Sequence, residues 1–118
     1  MTWGSLGNNL LRGLHMLQFK IGVQLTITEP INKILQGVEG VYRGFQVPCV
    51  VTSGSDGVHS PQSKHYSHEA LDFRIRNLKP HDRDALVQAC QKVLGQGFDV
   101  VLEQNHLHVE FDPQPSKG

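Results

Sequence analysis

Two short runs of alternating residues constrain the fold more than any other feature of this chain. "ALDFRI" (residues 70–75) and "HLHVEF" (residues 106–111) place an apolar residue at every second position. A period of two is typical of a β-strand with one buried face. We therefore expect a sheet whose one face packs on the core through Leu71, Phe73, Ile75, Leu107, Val109 and Phe111. Its other face would carry Asp72, His106, His108 and Glu110.

Two amphipathic helices are predicted to cover the apolar face. "PINKILQGVEGVYRGF" has Pro30 near its first turn and Gly44 as its stop, and "KPHDRDALVQACQKVLGQG" has Pro80 at its start and Gly95 after its end. "VPCVVTS" predicts a further strand, "LQFKIGVQL" a short one, and "FDVVLE" a hairpin with the last strand through Gln104 and Asn105. The predicted fold class is α+β, a small, mainly antiparallel sheet with two helices packed on one face.

The length of 118 residues predicts one domain, which we assign to residues 16–113. Residues 1–15 are interpreted as an N-terminal appendage, non-native or disordered, because Met16 could be the natural start, and residues 114–118 as a frayed tail. Cys49 and Cys90 are expected to be buried thiols, not a disulfide.

Charge and hydropathy exclude several partners. Eleven basic residues balance eleven acidic ones, so no net field favours nucleic acid. No apolar segment approaches the roughly 20 residues that span a bilayer, and no basic region precedes the N-terminal leucines, so neither membrane insertion nor a signal peptide is expected.

The segment "HEALD", residues 68–72, differs from the H-E-x-x-H signature of helical zinc peptidases only at its last position, where aspartate replaces histidine. That signature needs its two ligands one helical turn apart. On a strand, positions four apart are separated by about 13 Å. The alternating pattern that follows His68 therefore disfavours the helical motif.

A different ligand set fits the strands better. Asp72 interrupts an apolar run and would be costly there unless a cation, hydrogen bonds or a salt bridge to Arg74 or Arg76 compensates its charge. His106 and His108 share one strand face, which is either a metal platform or an ordinary polar surface. His65, at the end of the polar loop, together with the Asp72 carboxylate and one further histidine of this strand, would supply the three protein ligands of a catalytic zinc site.

These residues carry a family resemblance. "SKHYSHEALD" resembles the S-x-H-x-x-G-x-A-x-D motif of the zinc D-Ala-D-Ala carboxypeptidase/dipeptidase family, and "HLH" is similar to its closing His-x-His. "VTSGSDGVHSPQSKHYSHEALDFR" is also similar to the metal-binding segment of the hedgehog signalling domain, which shares that fold. The resemblance covers roughly residues 20–112 and is strongest to short phage-associated members.

The resemblance implies a hedgehog/DD-peptidase fold and a zinc metallopeptidase that hydrolyses peptidoglycan stem peptides, as a D-Ala-D-Ala carboxypeptidase or an endolysin-type endopeptidase. Such a protein would be made in the bacterial cytoplasm, encoded by host or phage, and act on the cell wall after release or within a phage particle. The alternative is a non-catalytic zinc module of the hedgehog type, used for binding or structure. The implied roles are zinc ligation by His65, Asp72 and His108, general base Glu103, oxyanion stabilisation by His106 and substrate contact by Ser63.

Three departures from the family pattern affect these roles. His68 stands where the family usually has glycine. Glu103 lies five residues before His108, a spacing that varies across the family, so Glu110, on the same strand face as His108, is the alternative base. Ser55 and Asp56 stand where a substrate-reading arginine is often found. The candidate replacements as anion partners are Arg43, Lys64 and Arg74. Neither the bond that is cut nor the oligomeric state follows from the sequence.

Overall fold

A computed structural model describes residues 16–56 and 69–113 of this chain. The predictions for Ser63, His65, His68, the appendage and the tail fall outside these residues. The elements are β1 Leu17–Phe19, α1 Glu29–Gly44, β2 Cys49–Ser53, β3 Ala70–Arg74, a 3-10 turn Pro80–Asp82, α2 Arg83–Leu94, β4 Phe98–Leu102 and β5 His106–Phe111.

The five described strands form one sheet in the order β1-β2-β3-β5-β4. The pair β1 and β2 is parallel, and the other three neighbouring pairs are antiparallel. The sheet and the two helices confirm the predicted α+β class with a mainly antiparallel sheet. Strand β5, the last along the chain, lies between β3 and β4.

Local sequence accounts for the helix limits. The Thr28 hydroxyl accepts a hydrogen bond from the Ile31 N–H at 3.3 Å and caps the start of α1, and Pro30 lies in the first turn. Helix α2 follows the 3-10 turn at Pro80–Asp82 and ends at Leu94, directly before Gly95, whose φ of 82° suits glycine. Helix α1 thus has the predicted limits, whereas α2 begins at Arg83, three residues after the predicted start at Pro80, because residues 80–82 form the 3-10 turn.

The core lies between the helices and one face of the sheet. Leu71, Phe73, Leu107 and Val109 are fully buried, as the alternation predicts, and Phe111 is partly buried. Cys49 and Cys90 are buried free thiols, which confirms that they form no disulfide. No helix in the described part of the chain is long and apolar enough to cross a membrane.

The turn after β2 is held by a side chain. Asp56 Oδ1 accepts hydrogen bonds from the N–H groups of Gly54 at 2.8 Å and Gln24 at 2.9 Å. A Cβ at Gly54 would collide with the Gln24 carbonyl oxygen, so this close approach requires glycine. Asp56 therefore ties the turn to the segment before α1.

In β2 itself, the pairing with β3 shifts register between Val51 and Ser53, beside Asp72.

Candidate metal centre

Strands β3 and β5 bring the candidate residues onto one face of the sheet. Asp72 pairs directly with His108, and Arg74 pairs with His106. Paired residues in an antiparallel ladder point to the same side, so both imidazoles stand beside the carboxylate. Asp72 is 9% exposed, although it lies on the face away from the core.

Two imidazole nitrogens lie near one oxygen of Asp72. His108 Nδ1 lies 3.0 Å from Asp72 Oδ1, and His106 Nε2 lies 3.6 Å from the same oxygen. Two ligand atoms bound to a tetrahedral zinc at about 2.0–2.2 Å are separated by roughly 3.3 Å. Asp72 and His108 are thus already close to the spacing of two ligands in one zinc site.

The second ring nitrogen of His108 also has an acidic partner. Nε2 lies 2.8 Å from Glu110 Oε1, so the imidazole is held between two carboxylates. The hydrogen bond with Asp72 is the main cause that raises the pKa of His108 to about 9, and Glu110 adds to it against the opposing effect of burial. A carboxylate on the far nitrogen is the arrangement that orients metal-binding histidines in many proteins.

Glu103 and His106 flank the tight turn between β4 and β5. The Glu103 N–H donates to the His106 carbonyl at 2.8 Å, which confirms the predicted hairpin through Gln104 and Asn105. The β4–β5 register pairs Leu102 with Leu107, and extending it by one pair places Glu103 opposite His106, on the same face. Asn105 Oδ1 lies 2.7 Å from His106 Nδ1 and orients that ring with Nε2 toward Asp72.

The structure therefore brings four of the sequence-predicted residues to one place: Asp72, His106 and His108 in contact distance, and Glu103 at the adjoining turn. Glu103 is exposed, and its carboxylate has no hydrogen bond or ion pair to another described residue. Across residues 16–56 and 69–113, Arg74 and Arg76 form no ion pair with Asp72, which does not support the salt-bridge alternative. His65 and Ser63 lie outside the described residues.

A second acidic group, not identified from the sequence, adjoins this site. The ligand atoms of Asp99, Glu110 and Asp112 lie within 4.8 Å of one another and could hold a metal ion. Burial, with Glu110 and Asp112 next, raises the pKa of Asp99. The hairpin register pairs Asp99 with Glu110, so counting back from the predicted turn would have found this pair.

Asp56 has a structural role in the turn after β2. Its hydrogen bonds to Gln24 and Gly54 close the turn after β2.

Comparison with protein-family models and with curated protein sequences finds no match to this chain. The functional proposal therefore rests on two observations: the resemblance of the motifs to those of the zinc peptidases, and the geometry of the site.

Proposed function

We propose that this protein is a zinc-dependent metallopeptidase that hydrolyses peptide bonds in peptidoglycan stem peptides. The observation that carries the proposal is the buried Asp72 carboxylate, with two imidazoles beside it on one face of the sheet. A buried carboxylate requires compensation by a cation or by hydrogen bonds. The peptidoglycan substrate is inferred from the "SKHYSHEALD" and "HLH" motifs.

The residues present fit a zinc site. Asp72 and His108 would hold the ion with His65, and Glu110 would accept a hydrogen bond from Nε2 of His108 and fix its ring. A bound zinc ion supplies a water molecule of lowered pKa and polarises the substrate carbonyl. Because Glu110 is occupied by His108, it is less suited than Glu103 to act as the base.

The hairpin residues provide the remaining chemistry. Glu103 takes the proton from the attacking water and delivers it to the leaving amine, a role that suits an exposed carboxylate without a competing partner among the described residues. In its imidazolium form His106 donates from Nδ1 to Asn105 Oδ1 and from Nε2 to the oxyanion of the tetrahedral intermediate. Asn105 holds the His106 ring in place for this contact.

The proposal is tested with a panel of muropeptides analysed by mass spectrometry, with and without chelator. Wild-type protein should release product only when zinc is present. Glu103→Gln should keep a full complement of zinc, measured by elemental analysis, and lose at least about 100-fold in rate, the usual contribution of a general base. Glu29→Gln, which removes an exposed carboxylate at the start of α1, is the matched control and should keep full activity.

One result would contradict the proposed function, and another would contradict only the assignment of the base. Zinc-loaded wild type that cuts no member of the panel would support the alternative, a zinc module used for binding or structure. Full activity of Glu103→Gln with Glu110→Gln inactive would transfer the role of base to Glu110.

A further inference from the structure

We propose that a cationic pocket beside the candidate metal centre binds a carboxylate group of the peptide substrate. The pocket has a volume of about 500 Å³, and Asp72 and His106 form part of its wall. Four cationic side chains also line it, and we call it the arginine pocket: Lys20, Arg74, Arg76 and Arg83. That the ligand is a peptide rests on the proposed function. That it carries a carboxylate is inferred from the pocket itself.

The concentration of positive charge in this pocket is not explained by internal partners. Across residues 16–56 and 69–113, none of its four cations forms an ion pair. The Nε atom of Arg83 is buried and has no hydrogen-bond partner among those residues. Four positive groups against one carboxylate, in a chain of zero net charge, leave a local excess that an anion would neutralise.

The position and size of the pocket favour a carboxylate on a short peptide. Guanidinium groups bind carboxylates through paired, charge-assisted hydrogen bonds. The volume is within the range of roughly 300–1,000 Å³ that is usual for small-ligand pockets. Because Asp72 and His106 are part of the wall, the pocket adjoins the candidate metal centre, and a peptide bound there would lie beside it.

A nucleic acid is a poorer candidate for the same charges. Polyanion binding uses many phosphate contacts along an extended basic track. Here the basic and acidic residues of the whole chain are equal in number, and the four cations surround one pocket. A small anion attached to a peptide therefore matches the observations better than a phosphate backbone.

Calorimetry with two acetylated probes tests the inference separately from catalysis. N-acetyl-D-Ala-D-Ala with a free carboxylate is compared with its C-terminal amide, on zinc-loaded Glu103→Gln protein and on chelated wild type. We expect the acid to bind at least about tenfold more tightly than the amide on both, since a charged hydrogen bond changes affinity by about that factor or more. Arg76→Gln and Arg83→Gln should each reduce this preference about tenfold.

Matched variants separate the pocket from general charge and from folding. Arg76 is exposed, so Arg76→Gln leaves the core intact, and Arg76→Lys should restore part of the preference. Lys92→Gln removes one exposed positive charge from α2 outside the pocket and should leave the preference unchanged. Thermal melting of each variant shows that it is folded.

The inference is overturned by any of three results: equal binding of acid and amide, an acid preference that survives both arginine substitutions, or one that vanishes with the metal. Tighter binding of a short single-stranded oligonucleotide, weakened by the same substitutions, would assign the pocket to a polyanion. An acid preference without hydrolysis of any muropeptide would refute the proposed function and leave the arginine pocket standing.

Discussion

One buried acidic residue departs from the amphipathic pattern of helix α1. Glu39 lies on the buried side of α1 and is 0% exposed, while the apolar Val41 in the same helix is only partly buried. Arg43, one turn later, places Nη2 3.2 Å from Glu39 Oε1, although neither carboxylate oxygen has a well-aligned hydrogen-bond donor among the described residues. The pair is thus a weak source of stability, because desolvation of the carboxylate offsets much of the attraction.

The two partners of this ion pair should respond differently to substitution. Glu39→Leu replaces a buried charge with an apolar side chain and is expected to be neutral or stabilising by about 1 kcal/mol. Arg43→Gln leaves the buried carboxylate without its cation and should destabilise by about 1–3 kcal/mol. Urea denaturation followed by circular dichroism measures both. A loss in Glu39→Leu as large as that in Arg43→Gln would show that the pair itself stabilises the fold.

The two thiols should be unreactive in the folded protein. Burial raises the pKa of Cys90 to about 12, and burial followed by the charge of Glu39 raises the pKa of Cys49. The reactive thiolate is therefore scarce near pH 8, and both sulfurs are shielded from reagent. Iodoacetamide labelling followed by mass spectrometry should modify neither cysteine in native protein and both in denaturant. Rapid native labelling of one thiol would show that its surroundings open locally.

The turn after β2 shows how a short element depends on a contact distant in sequence. Gly54 approaches the backbone of Gln24, and Asp56 joins the two segments by hydrogen bonds. This contact fixes the end of β2 next to Asp72, where the β2–β3 register shifts. Irregular pairing beside a site of this kind often re-aims a side chain.

Gly54→Ala should therefore destabilise the protein by roughly 1–3 kcal/mol, because the methyl group must displace backbone. Gly44→Ala is the matched control. A Cβ at Gly44 meets no atom within 4 Å, so alanine there should be neutral or stabilising by about 0.4–1 kcal/mol. Thermal unfolding compares the two. Equal midpoints would mean that the turn moves away from Gln24 without cost.

Elements with a clear period could be predicted from the sequence, and contacts between elements could not. The alternation at residues 70–75 and 106–111 predicted both strands and the face that Asp72 and His108 share. Their direct pairing depends on the insertion of β5 beside β3, which no local pattern specifies. The same holds for Asp99 beside Glu110, and for Asp56, whose partner Gln24 is 32 residues away.

For the whole molecule, metal binding and stability are expected to be linked. A ligand that binds the folded state at about 100 times its Kd stabilises it by about 2.7 kcal/mol, which raises the Tm of a domain of this size by roughly 10 °C. We expect chelated protein to melt at least several degrees below zinc-loaded protein in differential scanning calorimetry. Asp72→Asn should abolish the difference, and Glu103→Gln should retain it.

The acidic group near the end of β5 offers the competing location for a metal ion. If Asp99→Asn abolishes the zinc-dependent rise in Tm and Asp72→Asn preserves it, the ion occupies the cluster of Asp99, Glu110 and Asp112. Glu110 contacts His108 and also belongs to this cluster, so substitution of Glu110 cannot separate the two locations.

The strand order determines when the sheet can be completed during synthesis on the ribosome. Residues 16–102 contain both helices and four of the five described strands. Strand β4 cannot join the sheet beside β3 until β5, which lies between them, has left the ribosome. A nascent chain that still holds β5 in the exit tunnel lacks Leu107 and Val109 from its core and both imidazoles beside Asp72. Synthesis of β5 therefore completes the sheet and the candidate metal centre together, because the same strand supplies Leu107 and Val109 to the core and both imidazoles to the site.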